Sequence, residues 1–153
     1  MKKFLFLASA QRFGDFALLL LRLVVGLFLI FGVWDNVTSP ERMREFEAFL
    51  AQHHFAAPTL LAPVSVYAQL LVGIAFVLGL FTRWAGILCM INFIVAIVMV
   101  DHSGGMRGIF PSLVLVMIGL YLATHGAGRF SVDAGIRANE LPRPKNGGVR
   151  LKK

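Results

Sequence analysis

Three polar side chains stand inside long apolar runs of this chain: Arg22, Gln69 and Asn92. A guanidinium in such a setting costs a few kcal/mol on insertion scales and usually faces a bundle interior or a water-filled cavity. Counted at 1.5 Å per residue from the helix ends on one side of a membrane, Arg22 lies about 9 Å deep, Asn92 about 12 Å and Gln69 about 18 Å. One expectation is a single polar cluster in which the amides offer carbonyl oxygens to the arginine. Such a cluster could hold the head of a quinone, or the anionic group of a lipid or small acid. The other is that Arg22 snorkels to the headgroups while Gln69 and Asn92 join helices by hydrogen bonding.

A second constellation comprises Trp34, Asp35, His53, His54, Asp101 and His102. Trp34, Asp35 and His102 join the first three residues as the candidate ligand-binding set. Histidines and carboxylates at a membrane surface suit proton exchange with a quinone or the binding of a divalent metal. The spacing argues against a metal, because adjacent His53 and His54 diverge by about 100° on a helix, and the other reading of these residues is that they are solvated loop residues. The run 101–107 holds two glycines but has neither a preceding strand nor a following GK[ST], so it is not a phosphate loop. The single cysteine, Cys89, falls mid-span and excludes zinc ribbons, disulfide staples and a two-cysteine relay. His125 sits at a helix end, where its charge would favour the C-terminal dipole. No arrangement of nucleophile, base and acid emerges, so no catalytic residue is named and no stand-alone activity is expected.

The elements that carry these residues follow from composition. The chain has 153 residues, 58% of them hydrophobic and 15% charged, with a mean hydropathy of +0.75. A soluble domain of this size could not bury that much apolar surface, so an integral membrane protein is expected. Crossing a hydrocarbon core takes about 20 helical residues. Four stretches qualify, at about 16–34, 60–81, 84–100 and 108–125; the last three contain no Asp, Glu, Lys or Arg, and the first only Arg22. The expected fold is all-α, one four-helix membrane domain over 16–128. Before it comes a basic arm, 1–15, whose apolar run is too short for a secretory signal. After it comes a basic tail, 129–153, expected to be disordered beyond about 141.

Eleven Lys and Arg fall in the termini and the 83 loop, three in the other two loops, and Arg22 within a span. By the positive-inside rule both termini are cytoplasmic. The net charge of +7 is thereby accounted for by topology and anionic headgroups, without a nucleic-acid partner. Trp34 and Trp84 fall at span ends, where indoles favour the interface. The long loop 35–58 holds Ser39-Pro40-Glu41, which reads as an N-cap, a first-turn proline and an acidic first turn. Met43, Phe46, Phe49 and Leu50 then share one face, predicting a short amphipathic helix flat on the outer surface as a lid. Small residues at helix spacing, Ala75 with Gly79 and Ala85 with Cys89, would allow close packing within the monomer or in a homo-oligomer.

The order Arg22-Leu23-Val24-Val25-Gly26-Leu27, Phe31-Gly32-Val33-Trp34, Gln69-Leu70-Leu71-Val72-Gly73, Gly79-Leu80-Phe81-Thr82-Arg83 and Gly128-Arg129-Phe130-Ser131-Val132-Asp133 resembles the DoxX family of small bacterial inner-membrane proteins. The resemblance runs from about 16 to 133, and its most specific parts are the Gly-Leu-Phe-Thr-Arg turn and the Gly-Arg-x-Ser-x-Asp ending. It implies four helices in the bacterial inner membrane and association with a thiosulfate:quinone oxidoreductase or a terminal quinol oxidase. On that footing the expected role is a quinone- or redox-linked accessory component of a membrane complex. The alternatives are a binder or carrier of a small amphiphile or lipid, and an assembly subunit without its own chemistry. The chain departs from the family pattern at Gln69, where many members carry glutamate, and at Asp35-Asn36, where many carry lysine. Arg22 therefore faces a neutral partner in place of a buried carboxylate.

Overall fold

The structure, a computed structural model, describes residues 13–140, apart from the side chains of His102, Ser103 and Glu140. The first twelve residues of the basic arm and the tail beyond 140 lie outside the described residues. Among the described residues six α-helices follow one another: α1 Gly14–Thr38, α2 Pro40–Gln52, α3 Pro58–Leu78, α4 Thr82–Met99, α5 Gly105–His125 and α6 Val132–Glu140, with a 3-10 turn Asp101–Gly104 before α5. Four of them, α1, α3, α4 and α5, are long and apolar enough to cross a membrane. This is the expected all-α membrane bundle with a short helix in its first long connection. The described chain begins and ends at one end of the bundle, the terminal end; α2 covers the other, the lid end.

The spanning helices each begin two or three residues before the apolar stretches read from the sequence, and α3 stops at Leu78, short of 81. α1 continues through Asp35 to Thr38 because nothing there breaks it, and it ends where Ser39 turns extended with its N–H on the Asp35 carbonyl, 2.9 Å. Ser39 then starts α2: its Oγ accepts from the Arg42 N–H, with Pro40 in the first turn. The lid is thus started by the residues expected to start it.

α1 packs on α3 and α4 on α5, and a lighter α3–α4 contact joins the two pairs. Each pair closes on a reciprocal glycine crossing. A Cβ added to Gly26 or to Gly73 would come within 2.8 Å of the other glycine's carbonyl oxygen, and at Gly86 and Gly119 the corresponding distances are 2.6 and 2.8 Å. Lipid offers no hydrophobic drive for helices to associate, so this close backbone approach supplies the packing. The core between the pairs is apolar: Leu18, Leu29, Val72, Phe76, Cys89, Leu115 and Leu122. Ala85 and Cys89 pack into it, whereas Gly79 leaves the small-residue stripe and ends α3 in a left-handed turn, φ +66°.

Candidate functional site

The polar residues of the spans separate into two groups at opposite ends. Arg22 belongs to the terminal end. It is fully buried, and its Nη2 donates to the Phe130 carbonyl at 2.5 Å. Room for the guanidinium exists because position 79 is glycine: a Cβ there would lie 1.8 Å from Arg22 Nη1 and 2.6 Å from Ser131 Cβ. The left-handed φ of Gly79 also favours glycine. Phe81, itself left-handed at φ +48°, leaves the first N–H groups of α4 pointing at Asp133. The Asp133 carboxylate accepts from Phe81 N at 2.8 Å and Thr82 N at 3.0 Å, while its own N–H donates to the Gly79 carbonyl at 2.9 Å. A carboxylate on the N-terminus of a helix satisfies free donors and complements the dipole.

Ser131 caps α6, accepting from Ala134 N at 3.1 Å and donating to the Gly128 carbonyl at 2.7 Å. Asp15 in the first turn of α1 accepts from Arg129 N at 3.1 Å. The Gly-Leu-Phe-Thr-Arg turn and the Gly-Arg-x-Ser-x-Asp ending therefore close on Arg22 as one clasp. Arg22 Nε and Nη1 and Thr82 Oγ1, all buried, make no hydrogen bond within the described residues. The helix α6, which the sequence reading did not foresee, is held by these bonds.

This placement corrects both expectations for Arg22. It does not join Gln69 and Asn92, because α1 and α3 run antiparallel: Gly79 is level with Arg22, whereas Gln69 reaches the Leu29 carbonyl, about 10 Å further along α1. Nor does it reach the headgroups, since it is sealed by the ending that follows α5.

Gln69 and Asn92 do meet, toward the lid end, and they link α3 to α4. Ser65 Oγ donates to Asn92 Oδ1 at 2.8 Å, Asn92 Nδ2 to Gln69 Oε1 at 3.5 Å, and Gln69 Nε2 to the Leu29 carbonyl at 3.5 Å. The first is a normal bond and the other two lie beyond the usual 2.7–3.2 Å, so both amide N–H groups are only loosely held. The three residues line one wall of a cavity of about 490 Å³ between α3 and α4, roofed by Phe46, Phe49 and Leu50 of the lid and by Phe55. Its remaining walls are apolar, with Asp101 at the rim. Asp101 Oδ2 accepts from the hydroxyl of Ser112, a buried residue of α5, at 2.5 Å.

The rest of the second constellation does not converge. Trp34 is half exposed on the outside of α1, and Asp35 is exposed in its last turn. His53 bonds to the Phe49 carbonyl through Nδ1 at 2.9 Å and packs on the Phe49 ring at 4.3 Å, while His54 turns outward at φ +61°. His102 lies in the 3-10 turn next to Asp101, its side chain outside the description. His125 stacks on Tyr121, with ring centroids 5.0 Å apart. Among the described residues no group of three His, Cys, Asp or Glu is placed to hold a metal ion. On the lid, Glu41 is held below the usual carboxylate range by its own backbone N–H and by the Ser39 hydroxyl. Arg42 is pushed up by its hydrogen bond to Glu45, at 2.8 Å.

Sequence reasoning weighed Asp101 as a solvated loop residue and passed over Ser65. The signal for Ser65 was its place one helical turn before Gln69 on α3.

Comparison with curated proteins and with solved structures gives no match. A DoxX model matches residues 17–102, which takes in Arg22, the lid, the cavity's amide pair and the first half of the clasp. The match covers more than half of the chain, and the protein belongs to the DoxX family.

Proposed function

We propose that this protein binds a small amphiphile in the cavity beneath its lid. The observation that carries the reading is the Ser65–Asn92–Gln69 chain on the wall of an otherwise apolar cavity. Ligand sites combine an apolar body with a few placed polar groups. The two loosely held amide N–H groups can turn to an acceptor on a ligand at little cost. A quinone is one amphiphile of this kind, with carbonyl acceptors on a flat head and an apolar tail. It is also the ligand that a redox-linked accessory role requires.

The excess of basic residues at the terminal end supports a cytoplasmic location for both termini, in the bacterial inner membrane, with the lid outside. The cavity would then open toward the outer leaflet, above the depth of the clasp.

The test is native mass spectrometry of the purified full chain titrated with a decyl-tailed benzoquinone. One quinone per chain is expected, with binding at least tenfold weaker in Asn92→Leu and Gln69→Leu. A wild-type chain that takes up none, or variants that bind as well as wild type, would overturn the reading.

A further inference from the structure

The proposed cavity is long, and among the described residues that line it the one charge stands at one end. From Leu88 to Val100 its α4 wall covers about 18 Å. Asp101 sits just beyond, and Asn92 lies about 13 Å along the helix axis below it. Among the described residues that line the cavity Asp101 is the only charged one, and none of them is Lys, Arg or His. The one ion pair among the described residues, Arg42 with Glu45, is on the exposed face of the lid. Asp101 therefore has no cation from the described residues to pair with. Its Oδ2 is fixed by the Ser112 hydroxyl, so the carboxylate is held at the rim.

From this we infer that the cavity selects a lipophilic cation: a ligand whose protonated amine or quaternary nitrogen meets Asp101 and whose apolar body runs down the slot toward Asn92 and Gln69. The inference rests on the cavity being a ligand site and adds to it the charge of the ligand's head. Physically, a carboxylate beside a low-dielectric slot attracts a cation more strongly than one in bulk water would. A carboxylate at the rim repels an anionic head for the same reason. A neutral head gains only a hydrogen bond there. Ser112, buried and spent on Asp101, holds the carboxylate in register with the slot and itself contacts no ligand.

The test compares two probes of equal length and opposite character, decylamine, protonated at pH 7, and decanol, on the full chain by native mass spectrometry. The amine is expected to bind at least tenfold more tightly than the alcohol. Asp101→Asn should abolish that preference by bringing amine binding down to about the level of decanol, and Asp101→Glu, which keeps the charge, should retain most of it. Equal binding of amine and alcohol by the wild type would overturn the cation subsite and leave the cavity reading standing. Binding of neither probe would overturn both. An amine preference that survives in Asp101→Asn would also overturn the assignment, because the charge would then lie elsewhere.

Discussion

Arg22 and Phe130, 108 residues apart in sequence, are joined by a hydrogen bond from the guanidinium Nη2 to a backbone carbonyl. The bond fastens the ending after α5 to the first membrane helix, and Asp133 on the same ending caps α4. Arg22→Leu leaves the Phe130 carbonyl without its donor. The expected loss is about 1–3 kcal/mol of stability, seen as a lower unfolding midpoint in detergent. Arg22→Lys should recover only part of it, since a compact ammonium on a different stem does not reproduce the planar fork. Binding of the decyl quinone should stay at the wild-type level in both. A variant with wild-type melting and lost quinone binding would place Arg22 in the ligand site after all.

Gly79 is the counterpart of that arginine. In Gly79→Ala the new methyl would meet Arg22 Nη1 and Ser131, and the residue would have to keep φ +66°. The backbone cost alone is about 1–2 kcal/mol, and displacement of the guanidinium adds the loss of its bond to Phe130. Gly135 offers the control, because nothing lies within 4 Å of a Cβ there and the position is inside α6. Gly135→Ala should be neutral or stabilising by up to about 1 kcal/mol. Similar melting curves for the two variants would mean that the clasp does not depend on space at position 79.

The spans were legible in the sequence because they rest on hydropathy, and the lid because Ser39-Pro40-Glu41 is a local signal that needs no tertiary information. The partner of Arg22 was not legible, since it is a backbone carbonyl that any residue type at 130 would supply. The reading treated the Gly79–Arg83 and Gly128–Asp133 motifs as marks of a family and gave them no job. Yet both lie at the end of the bundle where Arg22 enters, and their glycines and aspartate are the residue types a buried guanidinium and an uncapped helix require. Depth counting puts Gln69 about 9 Å beyond Arg22, a separation that a single cluster would have to span. The pairing of Gln69 with Asn92 was legible, as two amides deep in neighbouring spans have few other partners. Asp101 looked like a loop residue because nothing in its own segment shows that a cavity ends beside it.

The lid should respond to acid through its first turn. Glu41 titrates below the usual glutamate range because its own N–H and the Ser39 hydroxyl favour the charged form. Since the folded value is depressed, its contribution is present above the ordinary carboxylate range and is lost as pH falls through the lower folded value. Side-chain carbon NMR titration should place the Glu41 midpoint below that of an unstructured glutamate. Ser39→Ala should move it upward and also remove the cap on Arg42 N, loosening the start of α2 by about 0.5–1 kcal/mol. A Glu41 midpoint that does not respond to Ser39→Ala would show that the hydroxyl is not its partner.

Asn92 separates a packing role from a binding role by magnitude. Hydrogen bonds between membrane helices average about 0.6 kcal/mol and reach about 1.7, and one of the two that Asn92 makes is already long. Asn92→Leu removes both bonds but fills the space with a side chain that suits the apolar wall. Its unfolding midpoint should therefore shift by less than that of Arg22→Leu. Quinone binding should fall at least tenfold, because the amide donor on the cavity wall is gone and Gln69 turns its freed carbonyl inward. The opposite pattern, a large loss of stability with unchanged ligand uptake, would assign Asn92 to joining α3 and α4 and leave the cavity wall without the polar group that the proposed ligand needs.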